Sequence, residues 1–68
     1  MQIYNNPSEI VTTDKQWWFL YNTITKVILI EPSQCSGKTS SPHSLVVANT
    51  KEECDTYITS NDLYYLDN

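Results

Sequence analysis

The chain has 68 residues, 40% of them apolar and 12% aromatic, and a formal net charge of −4. That length holds one domain, residues 1–68, whose core covers only about 60% of the unfolded surface, so its stability is marginal unless a disulfide, a metal or self-association adds to it. Four lysines and no arginine make no basic footprint, which argues against direct nucleic-acid binding.

The charge excess lies wholly in residues 51–68, where Glu52, Glu53, Asp55, Asp62 and Asp67 face only Lys51. Residues 1–15 lack the charged start and apolar run of a signal peptide. No apolar run approaches the ~18 residues that span a bilayer, so no membrane contact is expected. The Asn6-Pro7-Ser8 triplet is barred from N-glycosylation by its proline. Two cysteines, Cys35 and Cys54, allow at most one internal bridge, too few for a secreted disulfide scaffold. A cytoplasmic, reduced protein is expected, or one made in a cytoplasm and then assembled into a particle.

In chain order, Met1–Asn5 has a short strand-like pattern through Ile3 and Tyr4, and Asn5-Asn6-Pro7-Ser8 is a turn cluster. Glu9–Thr13 is β-branched and reads as extended. The stretch Gln16–Glu31 then collects both tryptophans, the only phenylalanine and the run Val27-Ile28-Leu29-Ile30. Its two apolar runs, Trp17–Tyr21 and Val27–Ile30, read as strands of a hairpin, with Asn22 opening a loop built on a type I turn. Neither run alternates, so each is either covered on both faces or turns an apolar face outward.

Pro32–Ser44 collects five serines, two prolines and the only glycine, and reads as a long loop. Leu45–Ala48 is a further short strand. Thr50 stands three residues before Glu53 in the capping-box spacing, with Glu52, Glu53 and Asp55 at the end of the helix where the macrodipole favours anions. Cys54, Tyr57 and Ile58 give that helix a narrow apolar stripe, and Asn61 ends it. Leu63–Leu66 closes the chain as a last strand or an apolar tail.

The candidate chemistries fall short of their requirements. Gly37-Lys38-Thr39 matches the end of a P-loop, but Pro32 stands where its first glycine belongs, and Pro42 opposes a helix after the lysine. Cysteine catalysis would pair Cys35 with the only histidine, His43, on a loop with nothing to fix their geometry. Cys35, His43, Cys54 and Asp55 offer zinc-ligating atoms without zinc-site spacing, whereas a Cys35–Cys54 disulfide stays open. No catalytic residue, metal or cofactor is expected. Tyr21-Asn22 and Thr25-Lys26 share hairpin-turn chemistry with WW domains, but Ile30 stands in place of the second signature tryptophan, which rejects that family.

The ending Val46-Val47-Ala48-Asn49-Thr50-Lys51-Glu52-Glu53-Cys54-Asp55-Thr56-Tyr57-Ile58 resembles one found among small tailed-phage proteins, a strand, a Thr-x-x-Glu cap and a short helix closing in Tyr-Ile. The resemblance implies a phage-encoded accessory or virion component, and an arginine-free composition agrees with an AT-rich viral gene.

The expected fold is α+β: a small, mainly antiparallel sheet of three to five strands with one C-terminal helix packed on one face. One helix covers one face, so the hairpin's other face should lie open and bind a protein partner or a second copy of the chain. The residues expected at that surface are Trp17, Trp18, Phe19, Tyr21, Ile28 and Ile30. The alternative is an acidic mimic that presents Glu52, Glu53, Asp55 and Asp62 to a basic host surface.

Overall fold

The computed structural model describes residues 1–66. In chain order these form β1 (Gln2–Asn5), β2 (Ile10–Thr12), β3 (Trp17–Tyr21), β4 (Val27–Ser33), β5 (Gly37–Thr39), β6 (Ser44–Ala48), α1 (Lys51–Ser60) and β7 (Tyr64–Tyr65). Five strands make one sheet in the order β1-β6-β3-β4-β7, and β2 and β5 make a separate two-stranded ribbon. All pairs are antiparallel except β4 with β7. With α1 packed on the sheet, the α+β expectation holds.

Asn22 nucleates the central hairpin. Its Oδ1 accepts the backbone N–H groups of Ile24 (2.8 Å) and Thr25 (3.1 Å), and its carbonyl accepts the Lys26 N–H at 2.8 Å. An asparagine that bonds its own loop needs no glycine, and Lys26 takes up the left-handed backbone instead, at φ 66°. β3 therefore leaves the loop paired with β4 on one side, and β6 completes it on the other.

Helix α1 starts and stops on named side chains. The Thr50 hydroxyl accepts the Glu53 N–H at 3.2 Å, satisfying one of the unpaired donors of the first turn. At the other end the Leu63 N–H returns to the Ile58 carbonyl at 3.0 Å and the Asp62 N–H to the Thr59 carbonyl at 3.4 Å. This is the Schellman pattern, with Asp62 at φ 56° in the place usually held by glycine. Its accompanying apolar contact is made too, since Ile58 and Leu63 both pack in the core under the helix.

That core joins Cys54, Tyr57 and Ile58 of α1 to Phe19, Tyr21, Ile28, Val46 and Ala48 of the sheet, as the helical stripe predicts. Three rings interlock there, Phe19, Tyr21 and Tyr57, with centroids 5.9–6.1 Å apart. The opposite face is not open, which corrects the expectation of an uncovered hairpin face. Leu20, Leu45 and Val47 are buried on it beneath Tyr4, Ile10 and Trp18.

Ile10 belongs to the ribbon, and the ribbon exists because the segment read as a loop contains a strand. Gly37, Lys38 and Thr39 pair with Thr12, Val11 and Ile10. Buried Thr12 donates its hydroxyl to the Cys35 carbonyl at 3.2 Å, and the Trp18 indole N–H reaches the same oxygen at 3.2 Å. The Trp17–Tyr21 run fails to alternate because both faces of the sheet are covered along β3.

β4 itself is longer and less regular than Val27–Ile30. Trp18, Leu20 and Tyr21 stand opposite Ser33, Ile30 and Ile28, so β4 carries an extra residue between Ile30 and Ser33 and another between Ile28 and Ile30. Bulges of this kind re-aim side chains and admit a proline, which cannot donate to a ladder. Ile28 turns under α1, while Ile30 stands opposite Leu20 of the ribbon face.

Candidate functional site

The residues expected at a binding surface separate into three groups. Phe19, Tyr21 and Ile28 are core, with 0%, 6% and 6% of their surface exposed, so they are withdrawn from any surface role in this fold. Their side chains point to α1 rather than outward, and the helix stripe fills the space against them. Trp17 and Trp18 are half-buried, Trp17 against the helix-side core and Trp18 against the ribbon-side core. Ile30 alone is exposed.

Ile30 has company that the sequence did not single out. Leu29, Ile30, Tyr64, Tyr65 and Leu66 are all exposed large apolar residues, and β4 and β7 place them along one margin of the sheet. Val27 pairs with Tyr64 and Ile28 with Tyr65, and Leu29 and Leu66 each follow directly on that pairing. The strip extends to the hairpin tip, where the Tyr64 N–H donates to the Lys26 carbonyl at 3.0 Å and Ile24 stands 89% exposed. Six of the nine exposed large hydrophobics thus follow one edge, while Met1, Ile3 and Val11 are exposed elsewhere. The readable signal was Leu63-Tyr64-Tyr65-Leu66, four apolar residues with one short parallel neighbour to cover them.

Charged groups bracket the strip. Lys26 lies at its tip end and Glu31 at its far end, both exposed, and among the described residues neither is ion-paired within the chain. Asp55 and Lys51 of α1 flank Tyr65 and pair with each other at 3.2 Å. Partial burial, then Asp55 and Glu31, hold the Tyr65 hydroxyl above its usual pKa.

The acidic residues do not gather into one patch. Glu52 and Glu53 occupy the first turn of α1, Asp55 is paired with Lys51, and Asp62 lies beyond the helix C-terminus. A ten-residue helix places its ends ~15 Å apart. Asp67 lies outside the described residues.

The thiols and the P-loop fragment have local roles. Both cysteines are free, Cys35 exposed in the turn between β4 and β5 and Cys54 buried under the sheet. Burial, followed by the charges of Asp55 and Glu53, pushes the Cys54 thiol up to about 11. Gly37-Lys38-Thr39 is an extended strand rather than a phosphate-cradling turn, and Lys38 pairs with Glu9 at 3.5 Å. His43 is engaged locally with Ser41, whose Oγ lies 3.0 Å from Nδ1 and accepts the His43 backbone N–H at 3.1 Å. Among the described residues no helix is long and apolar enough to cross a membrane, and no group of three or more His, Cys, Asp or Glu side chains could hold a metal ion. Comparison with known proteins finds no matching family model, no matching curated protein and no matching solved structure.

Proposed function

We propose that this chain is a non-enzymatic protein-binding module that engages its partner through the β4–β7 edge. The observation that carries the reading is the run of exposed Ile24, Leu29, Ile30, Tyr64, Tyr65 and Leu66 along one margin of a small domain. Isolated exposed hydrophobics are ordinary, whereas a set gathered along one edge suits an interaction site. Two tyrosines within it supply amphipathic rings of the type that anchor interfaces.

The surface differs from the aromatic hairpin face that sequence favours, but the class of function is the same. The phage-encoded part of the reading, as a virion component or an inhibitor of a host protein in the host cytoplasm, is supported by the likeness of residues 46–58 to small tailed-phage proteins. The acidic-mimic alternative draws less support, because its carboxylates are divided between the two ends of α1 and one is ion-paired.

A photo-reactive amino acid placed at Leu66, with a control at exposed Gln34, tests this in the native cytoplasm. Cross-links to protein, whether to the chain itself or to another, are expected at position 66 and not at position 34. Equal labelling at both positions, or none at either, would sink the reading.

A further inference from the structure

We propose that this chain dimerises by exchanging β1, the Gln2–Asn5 strand of each copy filling the place beside β6 in the other. The proposal concerns the far margin of the sheet and does not rest on the β4–β7 reading. It is carried by the backbone at Asn6. Among the described residues three that are not glycine have positive φ: Asn6 at 54°, Lys26 at 66° and Asp62 at 56°. Lys26 and Asp62 sit in a hairpin loop and at a helix end, which use that conformation. Asn6 differs, because Pro7 follows it. A proline ring crowds the residue before it and drives that residue toward an extended backbone with negative φ. Asparagine tolerates the left-handed region, but here it does so against its neighbour.

Asn6 also stands between two anchored residues, so the chain can redirect itself only there. Before it, Asn5 pairs with Ser44, and its Oδ1 accepts the Ser44 hydroxyl at 2.6 Å. After it, Pro7 is buried, and its carbonyl accepts the Ser41 N–H at 3.0 Å. β1 thus reaches β6 of its own copy through a turn that the Asn6-Pro7 step opposes. Straightening Asn6 carries β1 away from its own body and toward a second one.

β1 can leave without losing its contacts. It lies at the edge of the sheet and pairs with β6 alone. In the other copy it re-forms the register from Gln2 opposite Val47 to Asn5 opposite Ser44, together with the Asn5–Ser44 hydrogen bond. Tyr4 packs there on Leu20, Leu45 and Val47 as it does at home. The closed and exchanged forms therefore differ chiefly at the hinge, where exchange relaxes one strained residue in each copy. Exchange is reciprocal and closes at two copies. Relief at two hinges works against the freedom lost on association, so the dimer is weak and depends on concentration.

Sedimentation equilibrium on the full chain, up to about 1 mM, reads the dimer at the weak end of specific association. A monomer–dimer equilibrium is expected for the natural sequence. Asn6→Gly accepts the left-handed turn without strain and should weaken the dimer about tenfold. Asn6→Val, whose branched side chain resists positive φ, should strengthen it about tenfold. Circular dichroism checks folding, and Asn6→Gly decides the matter if Asn6→Val is unfolded. In dimers mixed from isotope-labelled and unlabelled copies, isotope-filtered Overhauser spectra should show Tyr4 of one copy against Leu45 and Val47 of the other. Leu66→Asp, on the opposite margin, should leave the exchange intact.

A natural chain that stays monomeric up to about 1 mM overturns the proposal. So does a dimer that ignores Asn6→Gly, lacks the Tyr4 contacts between copies, or dissociates on Leu66→Asp. That last result would place self-association at the β4–β7 edge instead, whereas failure of the exchange by itself leaves the reading of that edge standing.

Discussion

The Trp18 indole N–H donates to the Cys35 carbonyl across 3.2 Å, tying the central strand of the sheet to the turn of the ribbon that covers it. Thr12 donates its hydroxyl to the same oxygen, so one carbonyl joins the central strand to β2 of the ribbon. Trp18→Phe removes the donor and keeps most of the ring. A loss of about 1 kcal/mol in unfolding free energy is expected, in line with one net hydrogen bond. Amide exchange should accelerate in β2 and β5 first and leave α1 protected. Uniform acceleration over the whole chain would show that the ribbon is not held by this contact.

Across the sheet, the Tyr21 and Tyr57 hydroxyls lie 3.1 Å apart beneath α1. Tyr57→Phe leaves the Tyr21 hydroxyl without that partner in a largely buried position, and a cost of about 1 kcal/mol is expected in chemical denaturation. Burial and the Tyr21 hydrogen bond hold Tyr57 up at about 12, and burial holds Cys54 at about 11. Both groups are acids whose folded pKa lies above the unfolded value, so folding favours their protonated forms. Stability from this source is fully present below about pH 9 and falls as pH rises through the window from about 9 to about 12. Urea midpoints measured across that range should decline, and Tyr57→Phe should flatten the part of the decline above pH 10. A midpoint that holds steady up to pH 12 would contradict the assignment.

The two thiols should differ sharply toward a thiol-reactive chromogenic disulfide. Cys35 is exposed, while Cys54 is buried and its thiolate is suppressed. At neutral pH the native protein should release one equivalent of chromophore quickly and the second at the rate of unfolding, whereas in denaturant both react at once. Rapid release of two equivalents from the native fold would show that the helix does not shield Cys54.

Asp62 holds a left-handed backbone at the end of α1, next to the negative end of the helix dipole. Glycine has no Cβ to strain there, and its substitution removes a carboxylate from an unfavourable field, so Asp62→Gly should raise stability by about 1 kcal/mol. A thermal-melt series comparing Asp62→Gly with Asp62→Ala separates the two contributions. Alanine removes the charge but keeps the strain, and it should gain less than glycine. Equal gains would place the whole effect in the charge.

Much of the architecture was legible. The Trp17–Tyr21 run, the Asn22 loop, the Thr50 cap and the Cys54-Tyr57-Ile58 stripe each obey a local rule, and each is found where that rule puts it. The strand Gly37–Thr39 was not legible, because a three-residue polar strand among serines and prolines has no periodicity to read. Missing it made the ribbon invisible and left the far face of the sheet looking bare.

The exposed edge was hidden for a related reason. Whether Leu29 and Ile30 face in or out depends on two bulges in β4, and a single extra residue reverses the facing of everything beyond it. The apolar Leu63–Leu66 segment was visible in the sequence, but its place beside β4 is a long-range fact that no local pattern carries.

The insertion of β6 between β1 and β3 also sets the order in which the chain can complete itself. Residues 2–5 and 17–21 flank a gap that only residues 44–48 can fill. During synthesis the hairpin can form from local contacts, yet its inner strand keeps an unpaired margin until the segment at residue 48 has left the ribosome. Closing that gap requires pairing across roughly twenty to forty-five residues of intervening chain, the kind of contact that slows folding. The interval before β6 arrives is therefore when this sequence is most open to aggregation, and substitutions within Leu45–Val47 should lower soluble yield by more than their effect on the finished fold alone would suggest.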